Sequence, residues 1–434
     1  MFIDYKGGEN LKKDTRELAL SNHKENNELQ YEEEEEEGID ISEDDFHYFL
    51  AIINDQNSKL DEIYKSIHFM SAVSKYPIIA NKIFENNVHL FIIEKLKDSK
   101  LPIEIIIFCL GILKNVLSIP NKIATLFLTE FPDVLYRLTN TYAIAPLQIT
   151  SVIFDIFEVI IKPPITLDFF LNYLNLFFLH TTIKNLSEVT PKAFKCLNKL
   201  FTLPHSNLQR ILIENDFVNN CYRHMNRKSL AFCEACKLLS KMGKFNSFII
   251  EHLPDDFIDL LSDLLRDENE MILKSTLKLC IALSSNQCIS ELFIKEKSIF
   301  KKILRSSKWP FNLQILSLSL LSTLMSNNYI YLEEQLINYG TLDFFVDYLD
   351  TGDKLIIEMV LYGINFLLPH FVFNGQYGSE TPPFTSVILN SRELVEKLFE
   401  ISNDPEMPEQ IRESACYSFR QCDEIFRAPT QSGD

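Results

Sequence analysis

Glycine is scarce in this chain, 11 of 434 residues, and the few present do not sit where phosphate chemistry needs them. Gly7-Gly8 is isolated and no Gly-Lys-Ser/Thr follows, which excludes a phosphate-cradling loop. The nine histidines are scattered, with no His-Glu-x-x-His pair, and no Gly-x-Ser-x-Gly turn presents a serine. Positive charge is also short: 42 Lys and Arg stand against 60 Asp and Glu, a net of -18 that disfavours non-specific binding to nucleic acid. Long apolar runs are missing. Leu174–Leu179 is closely flanked by polar residues, too short to span a membrane, and no apolar signal segment follows a basic start. A soluble intracellular protein of the cytoplasm is expected, with the nucleus added under one reading below.

Metal chemistry finds little support either. Cys233 and Cys236 share a helix face after His224, but no second cysteine pair lies at zinc-ligand spacing, and Cys416 and Cys422 match no metal pattern. Cys109, Cys196, Cys236 and Cys280 fall inside apolar helical segments, where thiols serve as small core groups. Asp155 and Glu158 are neighbours on one helix and read as a solvated face, not as an acid/base pair. The expectation is a non-enzymatic protein with no cofactor and no catalytic or metal residues.

What the chain does have is a period. Nine long apolar segments recur about every 42 residues: Leu60–Tyr76, Ile105–Ser118, Gln148–Lys162, Pro191–Leu203, Ser229–Met242, Met271–Ser285, Phe311–Asn327, Leu355–Pro369 and Gln410–Phe426. Apolar residues inside them return at three and four positions, as in Phe194, Leu197, Leu200 and Phe201, which is a helical stripe. Pairs of shorter apolar segments lie between, punctuated by Asn86-Asn87, Pro132-Asp133, Asn215-Asp216 and Tyr339-Gly340, residues that stop and cap helices. Leu167–Leu186 is the exception, with no clean break between the outer helices. A single stripe cannot bury itself, so each copy must stack on the next in an all-α, right-handed α-α superhelix of about nine repeats.

A unit of two short helices and a longer third resembles the armadillo-repeat family over residues 50–426, with HEAT repeats the near competitor. In that family the third helix lines a concave surface that holds extended peptides. Aligning the long segments on Leu200, Met242 and Leu283 brings Lys195, Lys237 and Lys278 into one row, with Lys199 and Lys241 one turn further along. Neighbouring helices pack roughly 10 Å apart, so the five lysines form a positive strip, widened by Lys184, Lys192, Lys244, Lys274, Lys301, Lys302 and Arg305. The expected partner is a protein or peptide with acidic segments, as for lysine-lined armadillo surfaces of the beta-catenin type.

Residues 1–45 carry 16 Asp and Glu against 5 Lys and Arg, including the run Glu32–Glu37. Such a segment is expected to be disordered when free, with the solenoid occupying 46–427. The tail from 32 to 45 is also a candidate ligand for the chain's own lysines at high effective concentration. Phe373–Pro383, with Asn374-Gly375, Gly378 and Pro382-Pro383, reads as an inserted loop with Tyr377 and Phe384 as contact residues, and 428–434 as a loose end. Both terminal repeats carry polar outer faces, as caps do.

The alternative reading is a divergent nuclear-import adaptor. Importin alpha proteins resemble this chain in repeat number and in a charged arm ahead of the solenoid; here Leu11–Leu18 and Asn22–Asn26 are the nearest match, and importin beta would be the implied partner. That family reads basic signals with a Trp and an Asn four residues later. Asn115 occupies the Asn position, but Gly111 stands where Trp would be, later copies carry Asp155 and Val159 or pairs of lysines, and the one tryptophan, Trp309, precedes a long helix. A lysine-lined groove repels a basic signal.

Overall fold

The computed structural model describes residues 43–427 apart from 56, 164, 183–186, 202, 204–207, 246, 305, 307–308, 326–338 and 375–390. The acidic run Glu32–Glu37, the inserted loop beyond Asn374 with Tyr377 and Phe384, and the terminal 428–434 therefore lie outside the described residues. All regular structure among those described is helical.

The long helices form where the apolar period places them: α1 (Leu60–Val73), α2 (Ile103–Ser118), α3 (Leu147–Ile160), α4 (Thr190–Leu200), α5 (Phe232–Phe245), α6 (Glu270–Ser284), α7 (Phe311–Met325), α8 (Lys354–Asn374) and α9 (Glu409–Arg427). Each packs against the next, so the nine make a continuous ladder. Helix α4 shows why. Ala193, Phe194, Leu197 and Leu200 are buried on one side, while Lys192, Lys195 and Lys199 occupy the other. Short helices fill the intervals, as with Pro77–Glu85 and Val88–Lys95, or Leu208–Glu214 and Phe217–Asn226. This short-short-long unit is an armadillo-type repeat. The buried apolar side chains form one cluster running from Phe46 to Cys422, which makes the core a spine shared by all copies.

Phenylalanine fills the widest part of that spine. Phe154, Phe157, Phe170 and Phe177 are fully buried, and the Phe157 ring lies 4.9 Å from Tyr173 and 5.5 Å from Phe177. This packing corrects the reading of 167–186 as unbroken: the chain forms Leu167–Leu171, turns at Asn172-Tyr173, and continues as Leu174–Thr181. No glycine or proline is needed. Burial of the Tyr173 ring against Phe157 and Phe169 holds the turn, closed by its amide donating to the Phe170 carbonyl at 2.9 Å.

The junction residues act differently from what their types suggest. Asn87 and Asp216 sit between short helices and Gly340 just before the helix Thr341–Leu349, with φ of 58°, 59° and 79°, turning the chain through left-handed backbone and not through side-chain caps. True side-chain caps come from Asn269 and Asn286, whose oxygens accept from the amides of Met271 and Cys288 at 2.9 and 3.0 Å.

The last three residues of the segment 1–45 begin a helix. Glu43–Asn54 is a helix that buries Phe46, Leu50 and Ile53, and Glu43 pairs with Lys82 at 2.9 Å. Glu43, Asp44 and Asp45 thus form the first turn of a folded element, where negative charge suits the helix N-terminus.

Candidate functional site

The lysine row lies along the ladder, and each member's fate depends on the helix before it. Lys195 of α4 reaches back to α3, where its Nζ meets Glu158 Oε1 at 2.8 Å. Lys199 meets the same oxygen at 3.1 Å and donates to the Glu158 carbonyl at 3.0 Å. Lys192 pairs with Asp155 at 2.5 Å. Asp155 and Glu158, expected on a solvated face, are instead a clamp between repeats, and Glu158 is only 25% exposed. Burial alone would raise the Glu158 carboxyl, but hydrogen bonds from Lys195 and Lys199, with their charges, hold it below its ordinary value. The same contact, against burial, raises the Lys195 ammonium.

The row one turn further along is a set of back-ties. Lys199 holds the Glu158 carbonyl, Lys241 donates to the Asn198 carbonyl, and Asn115 Nδ2 donates to Ser74 Oγ at 2.8 Å. All three connect a long helix to the end of its predecessor. Of the residues expected to line the strip, Lys199, Lys241 and Asn115 join repeats, and Lys195 is paired with Glu158.

Lys237 and Lys278 differ. They lie on α5 and α6, close enough for each charge to act on the other, and Lys274 stands one turn before Lys278. No described carboxylate forms an ion pair with any of the three. All three residues are exposed. The Lys278 ammonium is nevertheless crowded by protein atoms, and burial first, then the charges of Lys274 and Lys237, hold it below the usual lysine range. Close approach of α5 and α6 contributes to this crowding. A Cβ on Gly243 would stand 2.5 Å from a terminal methyl of Leu283, so a larger residue there requires the Leu283 side chain to shift.

The reason for the change along the ladder is local. Where α3 carries Glu158, the corresponding end of α4 carries Asn198, whose amide donates to the Glu234 carbonyl at 2.9 Å and to its carboxylate at 2.8 Å. The next copy places Ser240 there, its hydroxyl donating to the Cys236 carbonyl at 2.7 Å. Of the other lysines expected to widen the strip, Lys274 joins the cluster, Lys192 is paired, and Lys301 is exposed. Lys184, Arg305 and the Lys244 side chain lie outside the described residues. Trp309 is partly buried before α7, its carbonyl accepting from Gln314 at 2.8 Å.

His224, considered beside Cys233 and Cys236, has other partners. Its Nε2 donates to the Thr181 carbonyl at 2.7 Å, and Nδ1 lies 2.7 Å from Ser229 Oγ. His180 repeats the device one copy earlier, donating to the Ala143 carbonyl at 2.7 Å. Burial holds both rings below the ordinary histidine range. Burial likewise raises the Cys236 thiol, which leaves it a poor nucleophile.

Comparison with solved structures agrees on the architecture. An engineered protein superposes with a TM-score of 0.62 at 11% identity, over 87% of this chain and 99% of that one. A designed armadillo repeat protein, solved with the peptide (KR)4, gives 0.48 at 14% identity over 58% of this chain and 98% of its own. Another designed armadillo repeat protein gives 0.45 at 13% identity over 57% and 98%. No family model matches the sequence, and no curated protein does. The first of these similarities bears on the fold alone. Among the described residues no helix is long and apolar enough to cross a membrane.

Proposed function

We propose that the chain is a non-enzymatic scaffold that holds an extended acidic segment of a partner protein along its ladder of long helices. The observation that carries this reading is the Lys237–Lys274–Lys278 cluster: three like charges on two adjoining helices, without a described carboxylate, in a protein of net charge -18. Like charges brought together in this way weaken each other's protonated state, and an incoming carboxylate relieves that cost. Attraction then favours both encounter and register. The segment 32–42 of the same chain is a competitor of matching charge.

Titration of a fluorescent Asp/Glu-rich peptide into the full chain and into the Lys237→Glu/Lys274→Glu/Lys278→Glu variant tests the reading. Binding that weakens with added salt and drops on the order of a hundredfold in the variant supports it. Equal binding by both proteins overturns it. Removal of residues 1–42 is expected to tighten binding, and the folded Glu43–Asn54 helix is left intact by that cut.

A further inference from the structure

A cleft of about 320 Å³ opens between two repeats, walled entirely by short-helix and turn residues: Pro132, Asp133, Tyr136, Phe169, Asn172 and Tyr173. No residue of the long-helix ladder contributes to it, so it is separate from the lysine cluster. Three of its six walls are aromatic, and their planes are not parallel. Tyr136 and Tyr173 meet edge to face at 5.9 Å and 73°, while Phe169 and Tyr173 are 5.1 Å apart and tilted by 49°. Tyr173 is 3% exposed, whereas Tyr136 is 48% exposed and forms the open side. Phe169, Asn172 and Tyr173 are spaced three and four residues apart, which brings them to one opening.

Charge in the cleft has one sign. Asp133 sits in the first turn of the helix Phe131–Thr141 and is exposed, and no described cation pairs with it. The chain's own guanidinium one turn on, Arg137, is turned elsewhere: Nη1 donates to the Lys97 carbonyl at 2.8 Å and Nη2 to the Leu96 carbonyl. Lys97 is likewise engaged by Glu94 and Glu130. The Tyr173 hydroxyl donates to the Pro132 carbonyl over 3.5 Å, a long contact that a better-placed donor would replace.

We infer that this cleft binds the guanidinium of an arginine side chain presented by a partner protein. A flat, weakly hydrated cation stacks on an aromatic face while its edge donates to a carboxylate, and a lysine ammonium matches only the charge. Tyr136 supplies the face, Asp133 the carboxylate, and Asn172 and the Pro132 carbonyl lie within the same walls as further acceptors. The ligand is of opposite charge to the segment proposed for the lysine cluster, so one partner engaging both would carry an acidic stretch and, separately, an arginine.

Saturation-transfer NMR on the full chain with N-acetyl-arginine amide as the probe tests this, with the lysine and trimethyl-lysine amides as comparators. Arginine is expected to give the strongest transfer, with affinity reduced on the order of tenfold in Asp133→Asn and in Tyr136→Ala, and unchanged in Lys237→Glu. Both mutated residues are exposed, and unaltered thermal unfolding of each variant shows that the fold survives. Arginine affinity unchanged in Asp133→Asn, no transfer at all in the wild-type chain, or stronger transfer to trimethyl-lysine than to arginine would each overturn the inference.

Discussion

The α3–α4 junction and the α5–α6 junction share a fold, a period and a lysine at the same position, yet the first is closed and the second open. At α3–α4, Glu158 takes two lysines and Asp155 a third. At α5–α6, the lysines meet no described carboxylate, and the nearest charges on Lys278 are other ammonium groups. A single position, Glu158 in α3, Asn198 in α4 and Ser240 in α5, separates the closed junction from the open one. Repeat architecture makes such a difference inexpensive: each copy keeps its apolar spine while its outer residues vary independently.

Transplanting the clamp gives the largest expected change. Asn198→Glu offers Lys237 the carboxylate that Glu158 offers Lys195, and is expected to weaken acidic-peptide binding about tenfold in a fluorescence titration. The converse, Glu158→Gln, frees Lys195 from its carboxylate, extends the positive strip and should tighten the same peptide roughly fivefold. It should also lower stability, because two partly buried ammonium groups lose their partner. A denaturant titration of Gly243→Ala is expected to show a loss of about 1–3 kcal/mol, since the new methyl collides with buried Leu283.

pH sharpens the same contrast in two separate windows, with stability rising with pH in each. Glu158 has a lowered value in the folded chain, so its stabilisation is full above the ordinary carboxylate range and is lost as pH falls through the folded value. Lys278 is also lowered, but as a base. Between its folded value and the ordinary lysine value the unfolded chain binds more protons, and stability rises with pH across that alkaline window. Thermal unfolding followed across both ranges should show the acid loss reduced in Glu158→Gln and the alkaline gain absent in Lys278→Met.

The spine was readable in the residues because burial imposes a period: Phe194, Leu197 and Leu200 mark α4 without any knowledge of its neighbours. The lysine row was readable for the same reason. Its electrical state was not, because Lys195 finds Glu158 across 37 residues, and the geometry of that reach depends on how one helix is rotated against the next. Asp155 and Glu158 looked solvated for want of that rotation, and Asn115 looked like a ligand-reading amide when its partner, Ser74, lies in the preceding copy. In the helix Glu43–Asn54, the acidic first turn obscured a short Phe46, Leu50, Ile53 stripe. The turn at Asn172-Tyr173 carries no glycine or proline, being held by aromatic packing and the bond from the Tyr173 amide to the Phe170 carbonyl.

Lysine footprinting tests the central claim most directly. The full chain is treated with a limiting amine-acylating reagent with and without an Asp/Glu-rich peptide, and the modified positions are read by mass spectrometry. Selective protection of Lys237, Lys274 and Lys278, with Lys195 and Lys199 unchanged, is the expected result. Protection confined to outer lysines such as Lys301, or no protection while the peptide is bound, would contradict it.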